Sequence, residues 1–498
     1  MEQLSSLDAA LVYLESKALS MHMGAVFVYD PSSAPGGHVS FSQVLANLER
    51  RMDTVAVFRR RVERVPLDLD HPWWVDDGPA DLGYHVSRLA LPAPADWREF
   101  CGQVARYLER PLDMSRPPWE MLFIEGLDSI EGMPKGAFAL VQKMHHSAMD
   151  GVSGMEFIGC LHDQEPTPTS TPRPDLPSRQ PESPSTVGLL LRALPNAVQN
   201  PLRILNAVVG LGPALSRRVL ATQTDIEPEP AASAKLPRTR FDGSVGPHRT
   251  VGGVRFDLAD IKKVKNAVPG ATVNDAVMAL VGGGLRHYLN DAHELPTDSL
   301  VALMPISLRE GDSDGLGNKL TYTTIPLGTD IDDPIERVRR LHEMAAKKKA
   351  VQNGENARRL VQIADAVPAG LLGLAGRLAA QLDLSNKVSA MNITVTNVPG
   401  PGTPIYMTGA KLVDIYGFAL AANGLGLVNM VSSYAGSLTI GFQCGAAMMP
   451  DPERYEACLR RSMAELVSAT APTNRNGSAQ DAAPKGAPGG RSATRPAP

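Results

Sequence analysis

Apolar residues along the first half of the chain follow the periods of strands and helices in turn. Residues 24–29 and 136–144 are short apolar runs, and they predict two strands. The spacing over 40–51, with Ser40 as an N-cap, predicts a helix. After the second strand, apolar residues recur every three positions and predict another helix, with a face formed by Val152, Met155, Ile158 and Leu161.

The second half of the chain shows the same mixture of periods. Thr272 and Asp275 have the spacing of a capping box and predict a helix that continues to Tyr288. Asp333 is followed by proline at the first helical position, which predicts a second helix. Further apolar runs predict strands at 300–306, 320–327 and 391–397. Each half therefore reads as an α/β unit.

One long stretch, from Ile415 to Pro450, contains no charged residue and has the length of a membrane span. Polar side chains and glycines interrupt it, and 434–437 has the composition of a turn. The pattern favours a buried hairpin, with one strand ending near Ser433 and the next at 438–442, over a transmembrane helix.

The middle of the chain separates the two halves. Residues 163–186 are rich in Pro, Ser and Thr, as in a linker. Residues 187–222 combine helical apolar faces with arginines and no acidic residue, so two interpretations stay open: a helix on an anionic membrane surface, or a connector packed between domains. The predicted units are 1–162, a linker and connector at 163–235, a second unit at 236–470, and a disordered tail at 471–498.

Composition agrees with a globular chain of two domains. The chain has 498 residues, 43% of them hydrophobic and 20% charged, which excludes a disordered protein. A net charge of -4 gives no reason to expect nucleic acid as a partner. The cysteines and histidines lack metal-ligand spacing, so no metal site is predicted, and the thiols are expected to be reduced. Glu2 and Asp8 argue against a signal peptide, which favours the cytoplasm.

The strongest candidate chemistry follows the strand at 136–144. His145 and His146 stand next to each other, and Asp150 and Gly151 complete a His-His-x-x-x-Asp-Gly segment. With 11 histidines and 44 glycines in the chain, chance produces this combination in on the order of one such chain in a thousand. A neutral imidazole at a strand end is placed to accept a proton from a substrate. The alternative is a pair of structural histidines near a turn.

This heptad resembles the HHxxxDG signature of CoA-dependent acyltransferases. More narrowly, the chain resembles the bacterial wax ester synthase/diacylglycerol acyltransferase family, and the likeness runs in order from about residue 4 to residue 466. The further matching segments are 4–10 with 21–24, 116–120 (where Pro118 replaces a leucine of the family motif), Asn274-Asp275, and 397–401.

The resemblance implies a fold and an activity. The fold is α/β (α+β), with two chloramphenicol-acetyltransferase-like subdomains and a reaction channel between them. The activity is transfer of a long-chain acyl group from acyl-CoA, as co-substrate, to diacylglycerol or a fatty alcohol, which gives triacylglycerol or wax ester. No permanently bound cofactor is expected. The location implied is cytoplasmic, with peripheral attachment to the inner membrane or to lipid droplets.

The resemblance also assigns roles within the motif. Three residues separate His146 from Asp150, which makes His146 the general base and His145 a neighbour that shapes the site. Two roles stay open for Asp150: orienting the imidazole, or pairing with an arginine such as Arg309 to hold the turn, and the resemblance implies the second. Gly151 would let the backbone pack closely.

Two asparagines are candidates for the oxyanion donor or for lining the channel. Asn397 ends a predicted strand before a Pro-Gly turn, whereas Asn274 follows a helix cap, a position that usually serves local structure. The chain lacks a Gly-x-Ser-x-Gly elbow, so a triad-type hydrolase is disfavoured. Two other functions stay open: a superfamily enzyme that acylates a polyketide, peptide or sugar alcohol, and a lipid-binding relative without turnover.

Overall fold

The structure is a computed structural model. Of the 498 residues it describes 1–15, 20–52, 55–149, 154–167, 184–193, 236–307, 320–352 and 391–471.

The described first half alternates short strands with helices. Its strands are β1 (Glu2–Gln3), β2 (His22–Asp30), β3 (Arg60–Glu63), β4 (Trp73–Asp76), β5 (Val86–Ala90), β6 (Trp119–Glu125) and β7 (Phe138–His145). Its helices are α1 (Ser6–Leu14), α2 (Phe41–Met52), α3 (Leu82–His85), α4 (Trp97–Glu109) and α5 (Gly154–Leu161).

The described second half has longer helices and a larger set of strands. Its strands are β8 (Arg249–Asp257), β9 (Val301–Ser307), β10 (Leu320–Pro326), β11 (Ile393–Pro399), β12 (Tyr406–Met407), β13 (Ala410–Phe418), β14 (Leu427–Tyr434) and β15 (Ser437–Gly445). Its helices are α6 (Leu258–Asn266), α7 (Val273–Asp291), α8 (Pro334–Gln352) and α9 (Pro452–Ala469).

Two six-stranded sheets and a small three-stranded sheet organise these elements. The first large sheet has the order β12-β13-β2-β7-β6-β5, the second has the order β10-β9-β11-β14-β15-β8, and the small sheet has the order β1-β4-β3. Every residue of β7 and of β15 is buried, so each large sheet has a strand covered on both faces. The predicted α/β fold class is confirmed.

The local signals in the sequence are confirmed where the structure describes them. Thr272 and Asp275 form the predicted capping box at the start of α7, and Asp333 Oδ1 accepts hydrogen bonds from two backbone amides at the start of α8. Ser40 caps α2, since its hydroxyl accepts a hydrogen bond from Gln43 N at 3.3 Å. The strands predicted at 24–29, 136–144, 300–306, 320–327 and 391–397 correspond to β2, β7, β9, β10 and β11.

The uncharged stretch near the C-terminus forms the predicted hairpin. Strands β14 and β15 pair antiparallel from Leu427↔Cys444 to Tyr434↔Ser437. Ala435 and Gly436 make the turn, and both have positive φ, as a type I′ hairpin turn requires. Among the described helices, none combines the length and the apolar character that a membrane crossing needs.

Strand β13 joins the sheet of the other half of the chain. It belongs by sequence to the second half, at 236–470, yet it pairs antiparallel with β2 of the first half, from Lys411↔Asp30 to Phe418↔Gly24. The physical reason is that β2 would otherwise leave one edge unpaired. The apolar pattern of a strand does not report which sheet the strand completes.

The predicted linker and tail fall mostly outside the described residues. Within the connector, residues 186–193 are helical, and the Arg192 guanidinium lies 5.5 Å from the Trp73 ring centroid. The rest of 187–222, and the tail beyond residue 471, lie outside the described residues.

Candidate active site

The histidine pair stands where β7 ends and a single 3-10 turn, His146–Met149, begins. The neighbouring strand β2 starts at the same level, with His22 opposite His145. The amide of His146 donates a hydrogen bond to the Met21 carbonyl at 2.8 Å, and α1 packs against the turn. The backbone around His146 is therefore held by Met21, the residue just before β2, and by α1.

The ring of His145 is fully enclosed, with 0% of the residue exposed. Its Nδ1 atom accepts a hydrogen bond from the amide of Ser147 at 3.2 Å and lies 2.7 Å from the Ser147 hydroxyl. Since Nδ1 is an acceptor, the proton of the neutral ring is on Nε2, and this atom lies 3.5 Å from Glu15 Oε2. His145 thus has no exposed ring atom with which to meet a substrate.

His146 differs from its neighbour because it is half-buried and stands at the start of the turn. The other motif residues, Asp150 and Gly151, lie outside the described residues, as does the candidate arginine Arg309. The predicted pairing of Asp150 with Arg309 therefore stays a prediction.

The structure brings the two predicted asparagines together. Asn397 Nδ2 donates a hydrogen bond to Asn274 Oδ1 at 2.7 Å, and both side chains are exposed. Asn274 is the second residue of α7, and Asn397 lies near the carboxyl end of β11. In the described part of the chain, neither asparagine hydrogen-bonds to His145 or His146.

Two buried basic side chains near the histidine pair, His22 and Lys143, were not assigned any catalytic role from the sequence. His22 Nε2 lies 2.6 Å from the Leu108 carbonyl, and burial, followed by the nearby positive charge of Lys143, lowers the pKa of His22 to about 4. The Lys143 ammonium is 0% exposed, pairs with Glu120 at 2.8 Å and donates to the Arg110 carbonyl at 3.0 Å. Burial also lowers the pKa of Lys143. The available signal was a lysine within a mainly apolar strand.

We expect the free energy of unfolding to fall as the pH drops from about 6.5 to about 4. Burial lowers the pKa of both His22 and His162 to about 4, below the unfolded value near 6.5. The unfolded chain therefore binds these protons first, and the stability present above pH 6.5 decreases by up to about 1.4 kcal/mol per pH unit for each histidine. Urea unfolding at a series of pH values measures this slope.

The substitution His22→Gln removes the titration of His22 from the pH dependence of stability. It keeps the hydrogen bond, because the glutamine amide can still donate to the Leu108 carbonyl. Between pH 6.5 and 4, the free energy of unfolding of this variant should fall less steeply with decreasing pH than that of the natural protein. The control is His248→Gln, whose side chain is 76% exposed. An unchanged slope in His22→Gln contradicts the prediction.

A cavity of about 450 Å³ lies between α4 and the starts of β8 and α9, away from the predicted site residues. Two of its three arginines are paired with carboxylates: Arg98 lies 3.2 Å from Glu453, and Arg106 lies 2.8 Å from Glu99. Among the described residues, no group of three or more histidine, cysteine or carboxylate side chains has the arrangement of a metal site.

Comparison with known proteins places this arrangement in a family. A family model of the wax ester synthase/diacylglycerol acyltransferase catalytic domain matches residues 4–277, and a model of the WS/DGAT C-terminal domain matches residues 316–467. The two models together cover most of the chain, including both histidines and both asparagines.

Individual relatives extend over nearly the whole chain. One diacylglycerol O-acyltransferase of Mycobacterium tuberculosis H37Rv is 30% identical over 461 residues, which cover 91% of this chain and 87% of the relative. Another from the same strain is 32% identical over 469 residues, which cover 94% and 99%. The solved wax ester synthase/diacylglycerol acyltransferase of Marinobacter aquaeolei VT8 superposes with a TM-score of 0.67 at 25% identity, over 94% of this chain and 100% of that one. The resemblance found in the sequence is thereby confirmed, and this chain belongs to the wax ester synthase/diacylglycerol acyltransferase family.

Proposed function

We propose that the protein transfers a long-chain acyl group from acyl-CoA to the hydroxyl group of diacylglycerol or a fatty alcohol, with His146 as the general base. The products are triacylglycerol or wax ester. The observation that carries the proposal is the asymmetry of the histidine pair: the His145 ring is enclosed, whereas His146 is half-buried at the start of the turn.

The chemistry requires one proton to move twice. The neutral imidazole of His146 takes the proton of the acceptor hydroxyl as its oxygen attacks the thioester carbonyl carbon. The tetrahedral intermediate then collapses, the carbon–sulfur bond breaks, and the imidazolium returns the proton to the CoA sulfur. The enzyme forms no covalent acyl intermediate on this route.

The asparagine pair supports a role in stabilising the oxyanion of that intermediate. A primary amide has two N–H donors, and one of those on Asn397 is used by Asn274. The second N–H of Asn397 is then held in a fixed direction. We propose that this N–H donates to the oxyanion, and that Asn274 orients it.

The lipid acceptor implies that the reaction takes place at a lipid surface. We propose peripheral attachment of a cytoplasmic enzyme to the inner membrane or to lipid droplets. The basic composition of 187–222 supports this location.

An acceptor panel tests the proposed function. The full-length protein is incubated with palmitoyl-CoA and either diacylglycerol, hexadecanol or a short-chain alcohol, and both CoA release and ester product are measured. We expect diacylglycerol or hexadecanol to be acylated at least about tenfold faster than the short alcohol, because the acyl chains of the acceptor contribute binding energy.

The controls separate this function from its alternatives. A His146→Ala protein gives the background rate of thioester hydrolysis. Preference for a polar sugar or peptide alcohol would favour the other superfamily function, and absence of CoA release with every acceptor would favour a lipid-binding protein.

A further inference from the structure

The carboxylate of Glu15 contacts the backbone that supports the histidine turn. Glu15 follows the last residue of α1, and its Oε2 atom accepts a hydrogen bond from the amide of Met21. The carbonyl of the same Met21 accepts the amide of His146 at 2.8 Å. Glu15 is therefore connected to the backbone of His146 through a single intervening residue.

The same carboxylate also faces the ring of His145. Its Oε2 atom lies 3.5 Å from His145 Nε2, and the Glu15 side chain is only 15% exposed. The Nε2 proton has no hydrogen-bond partner within the described residues, and the ring around it is fully buried. A buried N–H group without a partner is costly, and a carboxylate at this distance is the group that offsets the cost.

The opposite side of the His145 ring completes the connection. Its Nδ1 atom accepts the amide of Ser147, the residue immediately after His146. Because a neutral imidazole has one donor and one acceptor nitrogen, a carboxylate at Nε2 keeps Nδ1 available to the Ser147 amide. Glu15 thus acts on the backbone around His146 by two routes: directly on Met21, which accepts the His146 amide, and through the His145 ring on Ser147.

We propose that Glu15 is a positioning residue for acyl transfer, which fixes the tautomer of His145 and thereby the turn that presents the His146 ring. This inference rests on the proposed role of His146 as the base. Glu15 does not touch the substrate. It acts because a displacement of the base by about 1 Å from its productive position costs up to about 100-fold in rate.

A double-mutant cycle tests the proposal. Glu15→Gln retains an oxygen that can accept the Met21 amide, but it removes the negative charge from the atom opposite His145 Nε2. His145→Asn retains an acceptor for the Ser147 amide and lacks the reach to Glu15. We expect each substitution to lower kcat by about tenfold with KM changed less than about twofold, and the double variant to lose no more than either single variant, because both remove the same interaction.

The matched control is Glu2→Gln. Glu2 lies on the adjacent strand β1 and pairs with Arg60 at 2.6 Å, but its side chain is 65% exposed, so this substitution should leave kcat unchanged. Losses that multiply to about 100-fold in the double variant, or full turnover in Glu15→Gln, would overturn the proposal.

A spectroscopic measurement on the natural protein reports the tautomer of His145 directly. Nitrogen-15 NMR of histidine-labelled protein, with the His145 signals assigned by their loss in His145→Asn, should show a proton on Nε2 and none on Nδ1. The opposite tautomer overturns the proposal. Failure of the base assignment has a different signature, since it appears as retained turnover in His146→Ala while the tautomer of His145 is unchanged.

Discussion

Replacing His146 with alanine should lower the turnover of palmitoyl-CoA and diacylglycerol on the order of 10³-fold. The reason is that the acceptor hydroxyl has a pKa far above neutrality and needs a base in contact with it as it attacks. No described neighbour can substitute: His145 is enclosed, and His22 is buried against the Leu108 carbonyl. Ester formation by the full-length protein, measured at saturating acyl-CoA, gives the loss in kcat.

The interpretation requires that the His146→Ala protein is folded. His146 is half-buried, so the substitution removes few packing contacts, and the thermal midpoint should stay within a few degrees of the natural value. The matched control is His248→Ala, at an exposed histidine in the second half of the chain, which should retain full activity. Turnover within about threefold of the natural rate in folded His146→Ala would show that another group is the base.

Replacing Asn397 with alanine should lower kcat on the order of 100-fold, with a much smaller change in KM. An oxyanion donor acts in the transition state and contributes little to binding of the ground-state thioester. Because Asn397 Nδ2 also donates to Asn274 at 2.7 Å, we expect Asn274→Ala to lower kcat as well, but by less, since it removes the partner and not the donor.

Two further variants show whether Asn397 acts as a hydrogen-bond donor or only fills space. Asn397→Asp has nearly the same shape but replaces the amide donor with an acceptor, so it should lose at least as much activity as Asn397→Ala. Asn290→Ala, at an exposed asparagine near the other end of α7, should have no effect. An Asn397→Ala protein within about threefold of natural turnover would exclude the donor role.

Short-range features of this protein follow directly from its sequence. The capping box of Thr272 and Asp275 and the cap of α8 were predictable because each involves atoms only two or three residues apart. The hairpin of β14 and β15 was equally predictable, since the turn and the alternation around it lie in one stretch. The same holds for the histidine pair, whose position at a strand end is a local property.

Contacts between residues that are far apart in the sequence were not predictable in the same way. Asn274 and Asn397 are separated by 123 positions, and each was identified alone, with no signal that their amides would meet. The sequence predicts no role for Glu15, because a glutamate near the end of an amphipathic helix is usually solvated. Its contact with His145 depends on how α1 lies against the turn after β7, which is a consequence of tertiary packing.

The position of β13 determines where this enzyme can be truncated. The match to the catalytic family model stops at residue 277, inside helix α7, whereas the strand that covers the edge of β2 begins at Ala410. A truncated protein ending at that boundary would expose backbone donors and acceptors along β2 and would tend to aggregate through them. Splitting the gene between α5 and β8 into two co-expressed fragments should instead yield a soluble pair, because α7 stays whole and the second fragment returns the missing strand to the first.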